Sequence, residues 1–234
     1  MTDALISTRL SSMTTAEALD AAFAGQSCEL VRADGTSRRL PTDRWTGPAS
    51  AIDVALFVSR CTGPTLDVGC GPGRLSGALW DREVNVLGLD ISLEAVRQTR
   101  KRGAPALCLD IFDALPGAGL WEHVLLADGN IGLGGRPKVL LELVATLLSL
   151  HGTVLVELAG TGAMSIHEGV HLRVGERDSG SFDWATVGVD AIEEVAAAAD
   201  LVVVDVVSVA DRYVATLQHH RVAARPRTTG RDRR

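Results

Sequence analysis

Short apolar runs alternate with helix-spaced segments along most of this chain. The runs fall at 65–68, 84–89, 106–109, 123–127, 153–158 and 201–209. They are too short for buried helices and read as buried strands. Between them, 74–80, 92–102, 137–149 and 190–199 have helical spacing. Ser92 and Asp190 are expected caps, with Leu93 and Val96 inward and Arg97, Arg100 and Lys101 outward on the second helix. Strands alternating with helices predict a parallel sheet. A last run at 213–218 follows a short turn at Asp211 and Arg212, so it adds an antiparallel strand. The fold class is α/β: a doubly wound, mostly parallel sheet of seven strands, one of which, near the C-terminus, is antiparallel.

The flanks differ. Residues 1–22 are Ser/Thr-rich, then Ala-rich, and predict a loose helix. The runs at 28–31 and 37–40, around "ADGT", predict a small hairpin. Together 1–47 form an N-terminal cap segment. Pro48 starts a helix to about Arg60, with Ile52, Leu56 and Phe57 inward. The main domain is expected over 48–220. It carries an irregular insertion at about 159–189, whose 167–176 and 180–188 are candidate strands. Residues 221–234 hold several arginines, Pro226 and Gly230, and are expected to be a disordered basic tail.

Chemistry enters at "LDVGCGPGR", residues 66–74. A strand ends at Asp67 and Val68, and Gly69, Gly71 and Gly73 allow a turn with unusual backbone angles. Such a turn before a helix is expected to aim free N–H groups at a polar ligand. The dinucleotide fingerprint G-x-G-x-x-G wants a glycine where Arg74 stands, which argues against a nucleotide-cofactor dehydrogenase. The second and third strands also close on carboxylates, Asp90 and Asp110. Asp90 lies about 20 residues past the loop, where an acidic side chain can accept from ribose hydroxyls.

The pattern D-x-G-x-G-x-G resembles motif I of the class I S-adenosylmethionine-dependent methyltransferases, over roughly residues 48–220. The resemblance implies a Rossmann-like fold with S-adenosylmethionine as cofactor. Cys70 and the three glycines then lie against its methionine and ribose. Asp67 faces the ammonium, Asp90 and Ile91 the ribose, Asp110 and Ile111 the adenine, and Asp128 the methyl end. The family's motif for methylating nucleic-acid bases is absent, since Asp128, Gly129, Asn130 and Ile131 lack its prolines and aromatic. Gly129, Gly132, Gly134 and Gly135 suggest a flexible cover. Asn130, Glu157, His171, Arg173 and Trp184 are candidates for the acceptor side. Asp128, His167 and His171 are the candidate general bases, with no pairing that selects one. A non-catalytic subunit that only binds the cofactor is the alternative.

Composition narrows the partners. A formal net charge of −6 and 4% aromatic residues disfavour a nucleic acid. No run is long enough to span a membrane, and no secretory signal is expected. The four cysteines lack metal-ligand spacing, so no metal is expected and a reduced, cytoplasmic setting follows. Cys70 reads as packing. The expected partner is a small-molecule methyl acceptor; the oligomeric state stays open.

Overall fold

The computed structural model describes residues 12–113 and 117–220. The expected tail at 221–234 lies outside them. Helix α1 (Thr15–Phe23) opens the chain and is firmly capped: the Thr14 hydroxyl accepts from the Glu17 N–H, and Glu17 accepts from the Thr14 N–H. The hairpin strands β1 (Cys28–Val31) and β2 (Ser37–Arg39) follow, then the short helix α2 (Thr42–Thr46). Helix α3 (Ala51–Leu56) begins at Ser50, not Pro48, because Ser50 and Asp53 form a capping box. It breaks at Phe57, short of the expected end at Arg60.

The main domain runs β3 (Thr65–Val68), α4 (Arg74–Trp80), β4 (Val86–Asp90), α5 (Leu93–Lys101), β5 (Ala106–Cys108), β6 (Trp121–Leu126), α6 (Pro137–Leu147) and β7 (Leu148–Leu158). Then come β8 (Ser165–Val174), β9 (Arg177–Asp178), β10 (Phe182–Thr186), α7 (Ile192–Ala197), β11 (Leu201–Val209) and β12 (Arg212–His219). Seven strands form one sheet in the order β11-β12-β7-β6-β3-β4-β5. Only β12 runs against its neighbours. Both faces are buried, as alternation along β6 shows: Val124 and Leu126 join the core with Leu140 and Val144, while Leu125 joins Phe57, Leu75 and Leu79.

Two local expectations are corrected. Leu93 is 66% exposed, because the first turn of α5 turns it to solvent, although Val96 is buried. Asp190 does not cap α7; its carboxylate instead accepts from the Gly162 N–H.

The larger surprise is a second sheet. The N-terminal hairpin and the 159–189 insertion join in the antiparallel order β10-β8-β1-β2, with β9 also on β8. Leu30 of β1 pairs with Leu172 of β8. Its inner face has its own small core of Cys28, Leu30, Leu40, Val170, Leu172 and Val174, packed on Ala18 and Ala22 of α1. Asp20 of α1 latches this cover to the main domain: it accepts from the Ser92 hydroxyl (2.5 Å) and the Glu94 N–H (2.9 Å) at the start of α5.

Candidate functional site

A cavity of about 400 Å³ lies between the two sheets, at the carboxyl ends of β3, β4, β5 and β6. That is where ligands sit in open α/β sheets, and the volume falls in the range of small-molecule sites. One side is the glycine loop and the strand ends: Asp67, Val68, Gly69, Cys70, Gly71, Asp90, Ile91, Asp110, Ile111 and Asp128 all line it.

Two glycines explain the loop's composition. Gly73 sits at φ +81°, and a Cβ there would come 2.7 Å from Thr99 Cα. Gly71 sits at φ +54°, and a Cβ would meet nothing nearer than Phe23 Cζ at 3.9 Å. Gly73 does not line the cavity as expected and instead lets α4 and α5 pack; Gly71 leaves cavity space. The expectation of free loop N–H groups is corrected. Cys70, Gly71 and Gly73 donate within the protein, to Leu89 O, the Asp90 carboxylate and Cys70 O. The Gly71 carbonyl accepts from the Thr99 hydroxyl (2.9 Å).

The strand-end carboxylates are positioned tightly. Asp90 accepts from the N–H groups of Gly71 and Ser92, both at 2.8 Å, one on each oxygen. A carboxylate has about four lone-pair sites, so acceptor capacity remains. Asp67 accepts from the Ser76 hydroxyl at 2.6 Å. Burial pushes both side chains up to about 6. Asp110 accepts from the Phe112 N–H (3.0 Å), which shapes the turn after β5. Cys70 is buried, and desolvation and nearby Asp90 push its thiol well above the usual range, as a packing residue requires.

Asp128 stands at φ +53°, a conformation that strains a non-glycine residue. Charge holds it there. Arg74 donates to it (2.5 Å), Arg44 reaches its other oxygen (2.8 Å), and its N–H donates to Glu157 (2.7 Å). Arg74 also pairs with Asp53, and Arg212 bridges Asp53 (2.8 Å) and Glu157 (2.7 Å). Burial opposes the charge on Asp53, but Arg74 and Arg212 hold its carboxyl below the usual range. Burial likewise opposes charge on Glu157, and Arg212 overcomes it. Glu157 therefore faces Arg212 and the Asp128 backbone and does not line the cavity.

Asn130 lines the cavity, but its amide donates to the Val68 and Gly69 carbonyls (2.8 and 3.1 Å), so it pins the glycine loop. The glycines after it are packed, not a loose cover: Leu133 bridges to Trp184, and a Cβ on Gly132 would strike Trp184 at 2.8 Å. Trp184 lines the cavity from β10. His171 and Arg173 do not. Strand alternation turns Leu172 inward and its two neighbours outward, where Arg173 binds Asp178 at 2.7 Å. His167 pairs in register with Trp184 and bonds to the Ser165 hydroxyl (3.0 Å), but it does not line the cavity.

Sequence reasoning missed the wall built by the cap segment. Leu19, Phe23, Leu30, Arg38, Leu40 and Trp45 all line the cavity. It also missed Arg74, which is 4% exposed. A cation in the first turn of a helix opposes the helix dipole, so Arg74 was itself a sign of acidic partners nearby.

A family model described as a methyltransferase domain matches residues 65–119, the stretch from β3 through the three strand-end carboxylates. The fold is similar to that of an S-adenosylmethionine-dependent methyltransferase from Bacteroides fragilis in complex with S-adenosylhomocysteine. The TM-score is 0.73 at 18% identity, covering 88% of this chain and 94% of that one. Over 65–119 the chain thus matches a methyltransferase domain, and its fold is that of an S-adenosylmethionine-dependent methyltransferase.

A second similar structure is the 1,6-didemethyltoxoflavin-N1-methyltransferase of Burkholderia thailandensis. Its TM-score is 0.52 at 18% identity, covering 75% of this chain and 78% of that one. In sequence, the chain is 37% identical over 95 residues to a tabtoxin biosynthesis enzyme of Pseudomonas amygdali pv. tabaci. The match covers 38% of this chain and 37% of that enzyme, so the chain spans little more than a third of its relative's length. The cavity's chemistry fits the class I cofactor. Besides its carboxylates it holds two buried donors without a partner among the described residues, Arg74 Nε and Trp45 Nε1. Trp45 packs edge-on against Phe23, whose ring faces Gly71, so both donors lie about the loop.

Proposed function

We propose that this chain transfers a methyl group from S-adenosylmethionine to a small-molecule acceptor. The observation that carries the reading is the single cavity wall on which the glycine loop, Asp67, Asp90, Asp110 and Asp128 meet. Asp90 would hold the ribose hydroxyls, Asp110 and Ile111 the adenine edge, and Asp67 the ammonium. Arg74 Nε and Trp45 Nε1 suit the cofactor's carboxylate, a group that needs donors. The bound cofactor supplies an already activated methyl group, so the protein's task is to align the acceptor and exclude water. The apolar wall of Leu30, Leu172, Phe182 and Trp184 serves both ends.

No histidine, lysine or tyrosine lines the cavity among the described residues, and Asp128 is held between two arginines. We therefore assign no general base, and infer an acceptor atom that is nucleophilic without one. The relatives named for didemethyltoxoflavin methylation and tabtoxin biosynthesis support a small-molecule acceptor. Unpaired thiols at Cys28, Cys61, Cys70 and Cys108 support a reducing compartment, the cytoplasm. No helix among the described residues is long and apolar enough to cross a membrane.

Calorimetry with S-adenosylhomocysteine, followed by turnover of labelled S-adenosylmethionine on a small-molecule panel, tests the proposal. Gly71→Val fills cavity space at a positive φ and should abolish binding. A wild type that binds neither cofactor form removes the reading. Binding without turnover on any acceptor favours the non-catalytic alternative.

A further inference from the structure

Across the inner face of the second sheet runs a row of three residues. Arg38 of β2 pairs with Leu30 of β1, which pairs with Leu172 of β8. Residues directly opposite share a face, and all three line the cavity. Around them stand Leu19, Leu40, Phe182 and Trp184, all hydrophobic. Asp183 also touches the cavity, but its carboxylate accepts from the Gly169 N–H at 3.0 Å. Arg38 is thus a solvent-exposed guanidinium at the edge of an apolar wall, reaching the cavity from its rim.

It differs from the other arginines near the site. Arg44, Arg74 and Arg212 each pair with a carboxylate. Arg38 has no acidic partner among the described residues. Desolvation and then the like charge of Arg32 lower its pKa from the ordinary arginine value. The cofactor's one carboxylate already has its donors at Arg74 Nε and Trp45 Nε1 on the glycine-loop side. Arg38 is left for something else.

We propose that the acceptor is an organic acid with an apolar body, its carboxylate held by Arg38. The proposal rests on the methyl-transfer reading and names its substrate class. A guanidinium matches a carboxylate with two parallel hydrogen bonds, which fixes orientation as well as charge. The carboxylate is then a handle. The atom that is methylated is another one on the same molecule, presented toward Asp128 by the hydrophobic wall.

The test uses the full chain saturated with S-adenosylhomocysteine. Phenylacetate and 3-phenylpropionate are titrated against their primary amides by ligand-observed NMR. Each acid should bind roughly 10-fold or more tightly than its amide, the scale of a charge-assisted contact. Arg38→Gln should erase that preference, and Arg38→Lys should keep part of it. Equal binding of acid and amide by the wild type, including no binding of either, overturns the proposal. So does a preference that survives in Arg38→Gln. The S-adenosylhomocysteine titration is read first: its failure in the wild type strikes the methyl-transfer reading itself, whereas its success with no acid preference strikes this proposal alone.

Discussion

The two walls of the cavity are built in opposite ways. The cofactor-side rim comes from one continuous stretch, β3 through β6, and ends every strand on a polar group. Its carboxylates are locked by backbone N–H groups, a hydroxyl and arginines. The facing cover is stitched from chain segments far apart in sequence, and it offers leucines, Phe182, Trp184 and Arg38. Fixed charges recognise an invariant partner; a hydrophobic wall with one charge accommodates a variable one. The rim also backs onto two large hydrophobic clusters, while the cover's core is one smaller cluster. Local opening therefore begins at the cover.

The sharpest way to break this contrast is to remove the rim's buried cation. Arg74→Met leaves Asp53 to Arg212 alone and Asp128 to Arg44 alone, and losing one partner of a buried pair costs about 3–5 kcal/mol. Thermal unfolding should shift down by roughly 2–4 °C for each kcal/mol in a chain of this size. An unchanged melting curve would mean that the network is not what holds the rim.

Next in size is Asp90→Ala. With charge-assisted bonds of about 1.5–3 kcal/mol each, S-adenosylhomocysteine affinity should fall by roughly 10-fold or more, and Asp90→Asn should lie between. On the other wall, Trp184→Ala should weaken phenylacetate binding to the cofactor-loaded protein by roughly 2- to 10-fold, the size of an aromatic contact. Its S-adenosylhomocysteine affinity should stay near wild type. If both ligands weaken together, the division of labour between the walls is wrong.

A smaller effect tests the latch between them. Asp20→Ala removes an acceptor from the start of α5 and should cost about 1 kcal/mol. Amide exchange should speed up in α1 and not in β3. The mildest test is pH. Asp67 and Asp90 have folded values of about 6, above the unfolded value of 3.8, so the folded state binds their protons more readily. Their contribution to stability therefore falls as pH rises from about 4 to about 6. Ligand binding runs the other way, because it needs the ionised form. Lowering the pH from 7 to 6 should weaken S-adenosylhomocysteine binding by about twofold through Asp90 alone, and calorimetry that shows a pH-independent affinity would remove the ionised carboxylate from the site.

The rim was legible because its information is local. Three carboxylates close three successive strands, and a glycine loop follows the first; each signal sits within a few residues. The strands and helices of the main sheet were legible for the same reason, since each is a short local pattern. The cover was not legible, because no local pattern says that Leu30 pairs with Leu172. Without that register, His171 and Arg173 looked like site residues from their place after the fifth strand. Once β8 is known to turn Leu172 inward, alternation puts both of them outside. Glu157 and Asn130 occupy expected places, yet their polar groups are spent on Arg212, the Asp128 N–H and the glycine loop. A sequence shows that a polar group lies near a site, but not which partner it meets first.

The charged cluster behind Asp128 also bears on how such a chain can change by descent. Asp53, Asp128 and Glu157 are matched by Arg44, Arg74 and Arg212. These six come from α2, α3, α4, the turn after β6, β7 and β12. A single neutral replacement leaves an odd charge inside, so drift at one position is resisted until another position compensates. The members should be inherited as a block, present together or replaced together, while the hydrophobic positions of the cover vary one at a time. Under the proposed function, new acceptors are expected to arise by editing the cover, with the cofactor side carried along unaltered.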